Sequence, residues 1–125
     1  MNRSTPNKFC GTPLGEWLES KPNELDIDAV PLDFISSLRS EFGLGGDDLE
    51  QAVRELLERL MARGAKPIQG HSDDGGYWTR VTRFGDEPSQ IVEGVIREWH
   101  ASGRDPEIGD VWFASPEFIE AEVRP

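Results

Sequence analysis

The segment "GHSDDGGYWTRVTRFG", residues 70–85, gathers the residue types that could do chemistry: an imidazole at His71, carboxylates at Asp73 and Asp74, then alternating aromatic, hydroxyl and basic residues. A metal site would draw on His71, Asp73 and Asp74. Adjacent aspartates, however, point their side chains apart, and the Asp-x-Asp-x-Asp spacing of a calcium loop is absent. Zinc would need a second His or Cys at helical or loop spacing, and His100, the other histidine, is distant in sequence. The pattern therefore predicts no metal and no cofactor. "GHSDDGG" reads instead as a hairpin turn, in which Asp-Gly and Gly-Gly supply positive φ and aspartate bonds its own backbone.

The remaining reactive residues are isolated. His100, in "EWHASG", stands near a helix end where an imidazolium suits the dipole. Cys10 lies in a polar leader with no histidine nearby and reads as a small, partly buried residue rather than a nucleophile. The chain has no Gly-x-Ser-x-Gly, no His-Glu-x-x-His, no phosphate-cradling glycine loop and no dinucleotide fingerprint. No catalytic residue is assigned, and the expectation is a protein that is not an enzyme.

The elements that must position these residues follow from periodicity. Residues 1–11 read as a loose leader, and residues 12–125 as one domain. Thr12 before Pro13 predicts a cap and a short helix over "PLGEWLES", closed by Lys21-Pro22. Pro31 opens a second helix with Phe34, Ile35, Leu38 and Phe42 on one face, stopped at Gly43. The third is the strongest: Asp47 and Glu50 have capping-box spacing, and Leu49, Ala52, Val53, Leu56, Leu57, Leu60 and Met61 form one apolar stripe ending at Gly64.

The period then changes. "KPIQ" reads as a short strand and "GYWTRVTRF" as a longer one, with Tyr77, Thr79, Val81 and Arg83 on one side and Trp78, Arg80, Thr82 and Phe84 on the other. A fourth helix spans residues 87–101, turning Ile91, Val92, Val95, Ile96 and Trp99 inward, with Gly103 as its stop. "GRDPEIGD" is a loop, "VWFA" a buried strand, and Ser115-Pro116 caps a last helix. The predicted class is α+β: N-terminal helices packed with a small three-stranded sheet in a single pair of layers. If the second and third strands are parallel neighbours, the fourth helix is their right-handed crossover.

Composition bounds the partners. The 125 residues carry a net charge of −11, spread from 4 basic and 7 acidic groups in residues 1–46 to 2 and 6 in residues 101–125. Phosphate backbones are recognised through Lys and Arg, so nucleic acid is an unsuitable ligand. No apolar run approaches the ~20 residues that span a bilayer, and no apolar core of about 7 to 15 residues marks a secretory signal. A lone cysteine forms no internal disulfide, and together these features predict a cytoplasmic location without membrane association.

Acidity favours a basic protein partner, steered by charge. The first contact residues are Asp73, Asp74, Trp78 and Arg80, because Trp and Arg are enriched among interface anchors and the row of Trp78, Arg80 and Phe84 faces outward if the other strand face is buried. Asp105, Glu107 and Asp110 are the second group. In size, acidity and lack of catalytic motifs the chain is similar to bacterial immunity and inhibitor proteins, a resemblance of general character that rests on no particular residues. It implies a module that neutralises a basic partner such as a toxin enzyme. Two other expectations stand beside it. One is a small enzyme or ligand-binding domain with a pocket between the helix at 87–101 and the sheet, titrated by His71 or His100. The other is a homo-oligomer in which the stripe of the third helix is partly an interface. The oligomeric state is not readable from hydropathy.

Overall fold

The computed structural model describes residues 1–107 and 110–124. Its class is α+β, with helices α1 (Leu14–Ser20), α2 (Phe34–Phe42), α3 (Gly46–Ala62), α4 (Pro88–Ser102) and α5 (Pro116–Glu122). The strands are β1 (Val30–Pro31), β2 (Lys66–His71), β3 (Tyr77–Arg80), β4 (Trp112–Ala114) and β5 (Val123–Arg124). The sheet has five strands where three were expected, because Val30–Pro31 and Val123–Arg124 are two-residue strands too short to leave a period in the sequence.

Strand order is β1-β4-β2-β3-β5. β4 pairs antiparallel with both β1 and β2, β2 pairs antiparallel with β3, and only β3 and β5 run parallel. The conditional crossover is thereby corrected: β4 is not the neighbour of β3, and α4 carries the chain past β2 before it returns. Pro67 and Ile68 face Phe113 and Trp112, which fixes the register of the centre.

Alternation along β4 shows how the sheet is covered. Phe113 packs into a large core with α1 to α4, whereas Trp112 and Ala114 belong to a second cluster with Ile68, Trp78, Val123 and α5 residues Phe118 and Ile119. Successive strand residues point to opposite faces. The sheet is thus covered on both sides, and α5 supplies a layer beyond the expected pair. The stripe of α3 lies inside the large core, with Leu49, Ala52, Val53, Leu56, Leu57, Leu60 and Met61 all buried within the chain. The stripe is thus covered by packing within the chain itself.

Several local expectations differ. Glycine stops are correct at Gly43 and Gly103, which adopt φ of 69° and 70° after α2 and α4, a conformation glycine reaches without strain. Ser115 caps α5, its Oγ accepting the Phe118 N–H at 3.1 Å. The box expected at Asp47 and Glu50 is absent because α3 starts earlier, at Gly46, which leaves Asp47 and Asp48 inside the first turn. Their charges still complement the helix dipole there. The reciprocal box is found instead at Glu87 and Gln90 of α4. Thr12 does not cap α1; Pro13 occupies that position, and a 3-10 helix over Lys21–Asp26 continues where Lys21-Pro22 was expected to end the helix.

The leader, expected loose, is docked. Asn7 is buried, its Nδ2 donating to Glu41 Oε1 at 2.9 Å and its Oδ1 accepting the Phe9 N–H at 2.8 Å. Arg3 reaches Glu55 on α3 at 2.7 Å, and the terminal ammonium of Met1 sits 3.2 Å from Asp48. A polar composition hid these long-range bonds. Among the described residues no helix is long and apolar enough to cross a membrane.

Candidate functional site

The opening loop is a hairpin turn. Gly76 N–H donates to Asp73 O at 3.0 Å, and the two residues between, Asp74 and Gly75, have φ of 50° and 79°. Two positive central φ values give the twist that a tight antiparallel connection needs. Asp73 and Asp74 project from this turn into solvent, and neither makes an ion pair among the described residues. Among the described residues no group of three or more His, Cys, Asp or Glu side chains is placed to share a metal ion.

The residues behind the turn are tied down. His71 Nε2 lies 2.8 Å from Thr79 Oγ1, and its ring stacks on Tyr77 with centroids 4.6 Å apart and planes 12° from parallel. β5 borders β3 on the flank away from β2, so Arg124 comes to Tyr77 from the side opposite His71, its guanidinium carbon 3.9 Å from the ring centroid. β5 brings it there, since Thr79 pairs with Arg124 and Trp78 with Val123. An open cavity of about 490 Å³ lies alongside, lined by Gly70, His71, Gly76, Tyr77, Trp78 and Glu122. Glu117, Glu120 and Glu122 of α5 are exposed and, like the turn aspartates, unpaired among the described residues.

Trp78 is placed otherwise than expected. Its ring packs edge-on against Trp112 at 5.5 Å and Phe118 at 5.9 Å, beneath α5, and is half-buried there, with part of it lining the open cavity. Strand β3 ends at Arg80; the chain then turns, and Phe84 crosses to pack on the large core beside α4. The row of Trp78, Arg80 and Phe84 therefore does not exist as one surface. Arg80 alone remains exposed.

The second acidic group is also not a free surface. Asp105 accepts from Arg39 Nε at 2.8 Å and Nη2 at 3.1 Å, and from the Trp99 indole N–H at 3.1 Å. Asp110 accepts from Arg104 at 3.0 Å and from the Glu107 backbone N–H at 2.9 Å. These donors hold both carboxyls below the ordinary aspartate value, chiefly through Arg39 for Asp105 and Arg104 for Asp110. Of these three acids, only Glu107 has an exposed side chain without an ion pair among the described residues. The loop read from "GRDPEIGD" includes residues 108 and 109, which lie outside the described residues.

A cavity of about 190 Å³ does lie between α4 and the sheet, lined by Gln69, Arg83, Val95, Glu98, Trp99 and Val111 among others. Neither histidine is among its described lining residues. His100 stacks on Trp99 and meets Glu50 of α3 instead, and His71 belongs to the hairpin cavity. Cys10 is exposed rather than partly buried; the Thr12 hydroxyl, 3.4 Å from its Sγ, draws its thiol below the ordinary value. Tyr77, Arg124 and Glu122 were missed in the sequence. A two-residue parallel strand carries no signal that would have placed them beside the turn.

No protein family matches the chain, and no curated protein or solved structure matches it.

Proposed function

We propose that this chain is a small acidic module that binds a basic protein partner through the hairpin turn and the adjoining C-terminal end of α5. One observation carries the reading: Asp73, Asp74 and Glu122 are exposed carboxylates without an ion-pair partner among the described residues, and Glu122 lines the same cavity as Gly76 at the end of the turn. Unpaired surface charge of one sign raises encounter rates with an oppositely charged partner and makes them salt-dependent. An inhibitor or immunity role, in which the module covers a toxin enzyme, is the form that the general character of the chain favours. A cytoplasmic site of action belongs to the same proposal, supported by the single cysteine.

The test is capture of basic proteins from a lysate of the source organism by the full chain at low and moderate salt. Asp73→Asn/Asp74→Asn should lose the captured partner, and Glu16→Gln/Glu58→Gln, which removes the same charge elsewhere, should keep it. Association with that partner should weaken about tenfold or more between the two salt conditions. A partner held equally by both double variants, or bound without salt dependence, overturns the assignment of this face.

A second reading rests on the cavity between α4 and the sheet, which suits a small ligand. Its charged walls are already neutralised by Arg83 on Glu98 and Arg104 on Asp110, so it ranks below the first. Stabilisation of the chain by a library of small metabolites, abolished by Gln69→Leu, would reverse that order.

A further inference from the structure

We propose that the Tyr77 ring is the seat for an arginine side chain of the partner, and that Arg124 fills that seat in the free chain. The proposal rests on the protein-binding reading and names the chemistry that the hairpin end would recognise. The aromatic seat carries it, while the surrounding carboxylates only orient a cation toward it.

Tyr77 is a fixed platform. One face is stacked on His71, and His71 is held by Thr79, so the ring presents a single free side. That side already holds a guanidinium, with Arg124 3.9 Å from the centroid. Arg124 is exposed and makes no ion pair among the described residues, so the ring is the contact recorded for its charged group. A planar guanidinium lies flat on an aromatic face, whereas an ammonium is a compact, strongly hydrated charge. The seat therefore discriminates arginine from lysine at equal charge.

Exchange needs little motion. Arg124 leaves by side-chain rotation alone, while Val123 stays packed against Trp78 in the second cluster and β5 keeps its register. The cavity of about 490 Å³ beside the ring gives the incoming side chain and its flanking backbone room. Glu122 lines that cavity, and Asp73 and Asp74 stand on the turn next to it. A seat occupied by the chain's own residue lowers the apparent affinity for a competitor by the fraction of time it is occupied.

The experiment uses fluorescein-labelled hexa-arginine and hexa-lysine peptides as probes, with binding to the full chain read by anisotropy at fixed salt. On the unmodified protein hexa-arginine should bind about threefold or more tightly than hexa-lysine. Arg124→Gln should raise that ratio further, since lost positive charge favours both peptides alike but only arginine gains the vacated ring. Tyr77→Leu should bring the ratio to about one, and Tyr77→Phe, which keeps the ring, should restore it. A ratio near one in the unmodified protein and in Arg124→Gln, with binding still lost in Asp73→Asn/Asp74→Asn, overturns the seat and leaves the acidic face standing. Absence of binding by either peptide to the unmodified protein and Arg124→Gln overturns both. The Arg124→Gln result does not depend on whether Tyr77→Leu folds.

Discussion

The turn at residues 72–76 and the loop leading to β4 are both acidic, yet their carboxylates do different work. Asp73 and Asp74 face solvent from a turn whose shape is set by backbone alone. Asp105 and Asp110 are bonded to Arg39, Trp99 and Arg104, and bind the end of α4 to α2 and to its own loop. The difference teaches that a carboxylate in a loop is free for a partner only where no cation of the same chain reaches it. Arg39 lies 66 residues from Asp105, so only folding brings the two together.

The comparison can be broken in order of effect. Trp78→Ala should be the costliest change at the hairpin, at about 3 kcal/mol for a packed aromatic, because it opens the cluster under α5. Denaturant unfolding measures that loss, and amide exchange should show α5 and β5 losing protection first. A cost below about 0.5 kcal/mol would return Trp78 to the surface role expected of it in the sequence.

Next comes Asp105→Ala, which removes the acceptor of three hydrogen bonds and should destabilise by about 1–3 kcal/mol in the same assay. Its pH signature has a definite sign. The folded pKa of Asp105 is depressed, so its stabilisation is complete above the unfolded value of about 3.9 and is lost as pH falls through the folded value. Asp110 contributes with the same sign through Arg104. Stability should therefore decline below about pH 4, and Asp105→Asn should flatten that decline. An unchanged acid limb would mean that the Arg39 pair contributes nothing in solution.

The smallest effect is expected at the turn. Asp73→Asn/Asp74→Asn should change stability by no more than about 0.5 kcal/mol, since neither side chain has an ion-pair partner among the described residues and asparagine tolerates the positive φ of Asp74. A substantial loss of melting temperature in this variant would show that the turn carboxylates are structural after all, and the contrast between the two regions would vanish.

Most of the helical frame was legible in the sequence. The α3 stripe, the inward face of α4, the glycine stops and the Ser115 cap follow from local spacing, and local spacing is what a helix obeys. The candidate surface was half legible. Asp73 and Asp74 were found because a turn signal is local, whereas Trp78 was misplaced because the face it occupies depends on α5, which lies 38 residues downstream at Pro116.

By itself, then, the sequence determined the α+β class, the position of the hairpin and the excess of negative charge, all properties of neighbouring residues and composition. Only the tertiary structure decided which acids are neutralised, which strand faces are covered and that Arg124 rests on Tyr77. Those outcomes depend on contacts between residues far apart in the chain. No periodicity encodes them, because the free energy that selects them comes from burial and pairing in the assembled fold.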